Sequence, residues 1–120
     1  MKRILIADDN ALARRGLKLL IERHQDWRVV GEATNGRDAI ERARELHPDL
    51  VLLDLIMPNM NGLQAAQELA KSEPAVPILL CTVQWSPYIV EQARKSGARG
   101  AVPKAEAGEI TQAITALIDH

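Results

Sequence analysis

Leu50-Val51-Leu52-Leu53 runs apolar without a break, directly before Asp54. A half-exposed strand alternates apolar and polar residues, so a short unbroken run belongs to a strand covered on both faces. The rest of the chain supplies the cover. Further short apolar runs at Ile4–Ala7, Trp27–Val30, Ile78–Cys81 and Ala101–Val102 alternate with stretches whose apolar residues recur at helical spacing. That alternation predicts βα units around a parallel sheet, with five strands and five helices.

The helices announce themselves by start signals as well as by stripes. Asn10 stands before Leu12, Leu17, Leu20 and Ile21; Asn35 before Ala39, Ile40, Ala43 and Leu46; Asn61 before Leu63, Ala66, Leu69 and Ala70. An asparagine there accepts a bond from the first free backbone N–H groups. Ser86-Pro87 opens the fourth helix with proline at its first position. In the fifth, Ile110, Ala113, Ile114, Leu117 and Ile118 form one apolar stripe, which leaves Glu109, Gln112 and Asp119 for solvent. Pro48, Pro74 with Pro77, and Gly97 with Gly100 mark where helices stop.

Composition narrows the class. At 120 residues the chain is expected to be one domain over residues 1–120, long enough for a core between two helical layers. Fifteen basic against sixteen acidic residues give no overall pull toward nucleic acid, so no direct nucleic-acid binding is expected. Arg14-Arg15 and Arg42-Arg44 read as solvated helix charges. The start, Met1-Lys2-Arg3 followed by Ile4–Ala7 and two acids, lacks the apolar length of a signal peptide or a membrane span, and a cytoplasmic location is expected. The lone Cys81 reads as core packing, and His24, His47 and His120, without ligand spacing, as surface residues.

Function is pointed to by acids at strand ends. Asp8-Asp9 closes the first apolar run and Asp54 the third, while Thr82 follows the fourth and Lys104 the fifth. Ligands bind outside the carboxyl ends of the strands in open parallel sheets. Carboxylates crowded there raise one another's pKa and cost folding energy, so such a group usually holds a cation or does chemistry. Taken singly, each has a plainer reading: Asp8-Asp9 as acids at a helix start, Asp54 as a turn residue, Thr82 as a strand end and Lys104 as a surface charge. Taken together, these readings require independent coincidences to share one crevice.

In these residues the chain resembles the receiver domains of bacterial two-component response regulators, from Lys2 to its end. The elements stand in order: Asp8-Asp9; Leu53-Asp54-Leu55-Ile56-Met57-Pro58-Asn59-Met60-Asn61-Gly62; Thr82; and Lys104. The Asn10–Leu17 stretch, Val29–Ala33 and Lys104-Ala105 look most like receivers that precede a LuxR-type helix-turn-helix output domain. The resemblance implies a flavodoxin-like (βα)5 three-layer sandwich with strand order 2-1-3-4-5, an order that comes with the family.

It also implies roles. Asp54 would be the nucleophile that accepts a phosphoryl group as an aspartyl phosphate. Both reactants are negative, so catalysis is mostly positioning and charge neutralisation. Asp9, Asp54 and the backbone carbonyl of Ile56 would ligate Mg²⁺, or Mn²⁺ in its place, with Asp8 acting largely through water. Lys104 would pair with Asp54 and later with the phosphoryl group, to which Thr82 donates its hydroxyl. The implied partners are a histidine kinase or phosphotransfer protein, docking near the first helix, and a second copy meeting the fourth helix, fifth strand and fifth helix. The chain would act as a phosphoacceptor rather than a turnover enzyme, alone or as the front of a transcription regulator.

Three departures from the family pattern bear on switching. Ala101 stands where many receivers carry an aromatic residue three positions before the lysine, which shifts the expected conformational signal to Trp85 and Tyr88. Ala105 stands where proline through a cis bond is common, leaving the Lys104-Ala105 peptide either trans or strained cis. Ile56 offers no polar side chain to orient water, and Val83 is bulkier than usual beside Gln84, so slow loss of phosphate is expected.

Rival classes fail on particular residues. A flavodoxin needs a hydroxyl- and glycine-rich loop after the first strand, where Asp8-Asp9 would repel the flavin phosphate. A phosphatase of the haloacid dehalogenase type wants a second Asp where Ile56 stands. The alternative left standing is a pseudo-receiver that binds partners without phosphate.

Overall fold

A computed structural model describes residues 1–119, so His120 lies outside the described residues. The elements follow in the order β1 (Lys2–Ala7), α1 (Ala11–Glu22), β2 (Trp27–Ala33), α2 (Gly36–Leu46), β3 (Leu50–Leu53), α3 (Gly62–Ser72), β4 (Ile78–Thr82), α4 (Pro87–Lys95), β5 (Gly100–Pro103) and α5 (Ala107–Ile118). The strands form one parallel sheet in the order β2-β1-β3-β4-β5.

The unbroken strand explains the layering. Val51 and Leu53 face a core shared with Ala39, Ile40 and Ala43 of α2, Ala65, Ala66 and Leu69 of α3, and Ala93 of α4. Leu50 and Leu52 face the other way, onto Leu17 and Ile21 of α1 and Ile110, Ile114 and Ile118 of α5. Each face of β3 therefore buries two aliphatic side chains, worth roughly 1.5–3 kcal/mol apiece, and no alternation is possible.

The asparagine caps form as the sequence requires. Asn10, Asn35 and Asn61 side chains accept from the N–H groups of Ala13, Asp38 and Gln64, and Ser86 does the same for Ile89 ahead of Pro87. Asn61 and Gln64 complete a reciprocal capping box, which fixes the start of α3. Helix α2 ends on His47 in the left-handed region, φ 48°, immediately before Pro48.

Several expectations need correction. Strand β2 continues past the apolar run Trp27–Val30 to Ala33, the end of the Val29–Ala33 stretch that carries the resemblance. Gly31 interrupts the apolar run yet stays in the sheet beside Leu5, and a Cβ on it would come 2.5 Å from the end of the Leu46 side chain, which packs over the strand there. Leu12 was placed on the apolar stripe of α1, yet it is exposed; only Leu17 and Ile21 of that helix are fully covered, because the helix meets the sheet past its first turn. Asp119 is not simply wet: its carboxylate accepts the Trp27 indole N–H at 3.1 Å. His24 is half-buried rather than a free surface group, stacking on Trp27 with ring centroids 4.0 Å apart. Cys81 is buried as expected, and burial pushes its thiol up to about 12.

Candidate functional site

Parallel pairing delivers the acids to one place. Ala7 pairs with Leu53 at the carboxyl ends of β1 and β3, so the next residues, Asp8 and Asp54, emerge side by side. Their backbones are held there, Asp8 N–H donating to Ala33 O at 3.0 Å and Asp54 N–H to Ala7 O at 2.9 Å. Asp8 and Asp54 are buried and Asp9 is exposed, and the three offer carboxylate oxygens within 4.8 Å of one another.

The adjoining strands bring a hydroxyl and an ammonium. Thr82 pairs with Pro103, and Lys104 N–H donates to Thr82 O at 2.9 Å. From there Lys104 Nζ reaches Asp8 Oδ2 at 2.5 Å and Asp54 Oδ2 at 3.2 Å. Asp8, Asp9, Asp54 and Lys104 thus meet at one end of the sheet, with Thr82 on the adjoining strand end, its backbone bonded to Lys104. Asp8 takes a further part that the sequence does not announce, since it pairs directly with Lys104. Among the described residues no peptide is cis, so Lys104-Ala105 is trans. Thr82 is fully buried, and its Oγ1 accepts the Gln84 N–H at 3.0 Å.

The segment after Asp54 is folded back on itself. Leu55 and Met57 turn into the core, Asn59 takes a left-handed conformation with φ 71°, and Gly62 N–H donates to Leu55 O at 2.8 Å. A Cβ on Gly62 would overlap the Asp54 carbonyl, so only glycine lets α3 begin this close to Asp54. Ile56 stands half-exposed beside the crevice, and Val83 and Gln84 are exposed.

The aromatic residues divide. Trp85 donates its indole N–H to the Ala101 carbonyl at 2.8 Å, spanning from the loop after β4 to β5, whereas Tyr88 is largely exposed. Ala101 itself is buried.

Electrostatics follow from this packing. Burial, then the charge of Asp8, raises the Asp54 pKa above its ordinary value, against the lowering pull of Lys104. Burial alone would lower Lys104; its bond to Asp8 and the charges of Asp54 and Asp8 outweigh that and raise it. Three carboxylates against one ammonium leave the crevice negative. An all-oxygen donor set with excess negative charge and one exposed member fits a hard divalent cation that keeps several waters, the preference of Mg²⁺.

One contact lay outside the reach of spacing rules. Arg14, read as a solvated charge, is half-buried: its Nη1 donates to Asp8 O at 2.8 Å and its Nε to Glu32 Oε1 at 3.1 Å. The link joins α1 to β2, and only the fold brings the two together.

Comparison with known proteins agrees with this geometry. A family profile described as response regulator receiver domain matches residues 4–115. The chemotaxis protein CheY of Thermotoga maritima is 43% identical over 103 residues, covering 86% of this chain and 85% of that protein. The transcriptional regulatory protein YdfI of Bacillus subtilis is 38% identical over 91% of this chain, which spans 51% of that protein's length. Among solved structures, a LuxR-family two-component response regulator from Aurantimonas superposes with a TM-score of 0.94 at 33% identity, covering 99% of this chain and 86% of that one. The signal receiver domain of the NarL response regulator from Mycobacterium tuberculosis gives 0.91 at 34% identity, covering 98% and 96%.

The chain belongs to the response regulator receiver domains of two-component systems, and its neighbours include receivers of the LuxR class. Domains of this family are signalling switches with an acidic Mg²⁺ pocket, working with kinases or phosphotransfer proteins. No helix among the described residues is long and apolar enough to cross a membrane.

Proposed function

We propose that this chain is a phosphorylation-activated switch whose acceptor is Asp54. The observation that carries the proposal is the placement of Lys104 Nζ between two buried carboxylates, 2.5 Å from Asp8 and 3.2 Å from Asp54. A structural ion pair needs one partner; this ammonium is shared, and can follow charge from the carboxylate to a group attached to it.

In the reaction, an Asp54 Oδ atom attacks the phosphorus of a phosphohistidine or a small acyl phosphate. The new O–P bond forms as the donor's bond to phosphorus breaks, and the donor leaves with that electron pair. Asp9, Asp54 and the Ile56 carbonyl would hold Mg²⁺ (or Mn²⁺), with Asp8 in support. The ion supplies charge neutralisation at the phosphoryl oxygens. Lys104 holds one phosphoryl oxygen and Thr82 donates its hydroxyl to another. Neither Ile56 nor Val83 gives a polar group that would orient an attacking water, which favours a long-lived phosphoryl group. Gln84 is the polar neighbour, and its N–H is bonded to Thr82.

Switching runs through the same hydroxyl. As Thr82 turns toward the phosphoryl group it releases the Gln84 N–H, and the loop carries Trp85 with it. The indole bond to Ala101 makes that loop continuous with β5, so Trp85, with Tyr88 next along α4, takes the part that an aromatic residue at Ala101 plays elsewhere in the family. The surface remodelled is the α4, β5 and α5 face, the proposed site of homodimer or output contact. Action alone or as the N-terminal part of a transcription regulator, a cytoplasmic setting and the absence of direct nucleic-acid binding by this domain belong to the same reading.

Incubation with acetyl phosphate and Mg²⁺ tests it by mass. The native chain gains one phosphoryl increment that Asp54→Asn does not. No increment in the native chain under conditions that phosphorylate a control receiver would overturn the proposal and favour the phosphate-independent reading.

A further inference from the structure

We infer that Arg14 is a positioning residue for the cation site, setting the peptide between Asp8 and Asp9 so that both carboxylates face the crevice. The inference rests on the proposed cation-dependent phosphorylation. Asp8 is held at three points: its N–H by Ala33 O at 3.0 Å, its Oδ1 by Asn10 N–H at 2.9 Å and its Oδ2 by Lys104. The Asn10 bond closes a turn around the next peptide, but none of the three engages that peptide's carbonyl oxygen. Arg14 does, because its Nη1 donates to the Asp8 carbonyl oxygen at 2.8 Å. A planar peptide turns as a unit, so pinning that oxygen also sets the direction in which the Asp9 backbone leaves. Asp9 is the exposed member of the acid group, and so depends most on its backbone for direction.

The guanidinium is itself braced. Its Nε donates to Glu32 Oε1 at 3.1 Å, and the Arg14 side chain is 17% exposed against 40% for Glu32. A planar fork with several fixed donors can hold a carbonyl and a carboxylate at once, which a lysine ammonium on a flexible stem does poorly. Glu32 also offsets a permanent positive charge near a site meant for a cation.

Charge and positioning make opposite forecasts, and that separates them. Were Arg14 only a nearby positive charge, removing it would tighten cation binding. A positioning role requires that Arg14→Gln and Arg14→Lys both weaken it, by about tenfold, the lower end of the range for groups that orient metal ligands. Glu32→Gln, which keeps the arginine and removes its brace, should weaken binding by a smaller factor.

The test is a Mn²⁺ titration by water-proton relaxation without phosphodonor, on the native chain and the three variants, with unfolding midpoints checked alongside. It is paired with acetyl phosphate phosphorylation at limiting and at saturating Mg²⁺. The expected result is weaker Mn²⁺ binding with the phosphorylation rate restored to within about twofold of native at saturating Mg²⁺, an effect on apparent metal affinity and not on the chemical step. Unchanged or tighter Mn²⁺ binding, or a rate that stays low at saturating Mg²⁺, overturns the positioning role alone. A native chain that binds no Mn²⁺ overturns the proposed function and this inference together. Should Arg14→Gln fail to fold, Arg14→Lys decides, because it keeps the charge and loses the planar fork, and unchanged affinity there counts against the inference.

Discussion

Lys104 Nζ sits closer to Asp8, at 2.5 Å, than to Asp54, at 3.2 Å. The lysine is thus first a counter-ion to Asp8 and only second a partner of Asp54. Under the proposed function this leaves part of the Asp54 charge uncommitted and gives the ammonium a short distance to move toward an incoming phosphoryl group.

The first prediction concerns that pair. Lys104→Met should cost about 3 kcal/mol, because it leaves Asp8 buried with no counter-charge. Mg²⁺ should recover part of the loss, since a ligand at tenfold over its Kd stabilises the folded state by about 1.4 kcal/mol. Urea unfolding with and without Mg²⁺ checks both parts; a variant as stable as native in chelator would refute the first. The raised Lys104 pKa has the matching sign: its contribution is fully present below the ordinary value of 10.5 and is lost as pH rises through the folded-state value.

Asp54 predicts the opposite slope. Its folded-state pKa is raised, so the folded chain binds this proton more tightly than the unfolded chain. Stability therefore falls as pH rises from the ordinary value of 3.8 through the folded-state value. Asp54→Asn should remove that part of the slope and raise the neutral-pH midpoint in chelator by a few degrees, equivalent to about 1 kcal/mol for a domain of this size. A midpoint that drops would show that the bond to Lys104 outweighs burial and repulsion from Asp8.

Gly62→Ala should disturb the acceptor without touching its side chain. The added methyl meets the Asp54 carbonyl, and overpacking against backbone costs roughly 1–3 kcal/mol. Phosphorylation by acetyl phosphate should slow even where the variant is fully folded. Native stability together with a native rate would show that α3 shifts freely at its start.

Trp85 predicts a spectroscopic signature. The chain has two tryptophans, so the indole N–H region of a proton–nitrogen correlation spectrum holds two signals, assignable with Trp85→Phe. Loading the site with beryllofluoride should shift the Trp85 signal as its bond to Ala101 lengthens. Trp27, bonded to Asp119 at the amino end of the sheet, should stay in place. A stationary Trp85 signal on a loaded site would move the conformational signal elsewhere.

Much of this was legible because local chemistry and the fold agree. Leu50–Leu53 could be read as a strand covered on both faces, and the three asparagine caps and Ser86-Pro87 mark helix starts that need no tertiary information. The five candidate site residues are readable for a related reason: each stands at the end of a strand or within two residues of it, and parallel pairing gathers such ends. What escaped depends on contacts between distant segments. The exposure of Leu12 depends on where α1 meets the sheet. The Arg14 bonds to Asp8 and Glu32, and that of Trp85 to Ala101, join segments that no periodicity relates.

The burial of every residue of β3 has a mechanical consequence. The proposed acceptor, Asp54, is mounted on the part of the molecule expected to open last to solvent exchange, while Thr82 and Lys104 lead into loops whose tips, at Val83 and Ala105, stand in water. Strain introduced at Asp54 finds no give beneath it and has to relax sideways along the rim. A receiver built on this plan would transmit its signal by loop displacement across a rigid floor, with hydrogen exchange changing after β4 and β5 and hardly at all in β3.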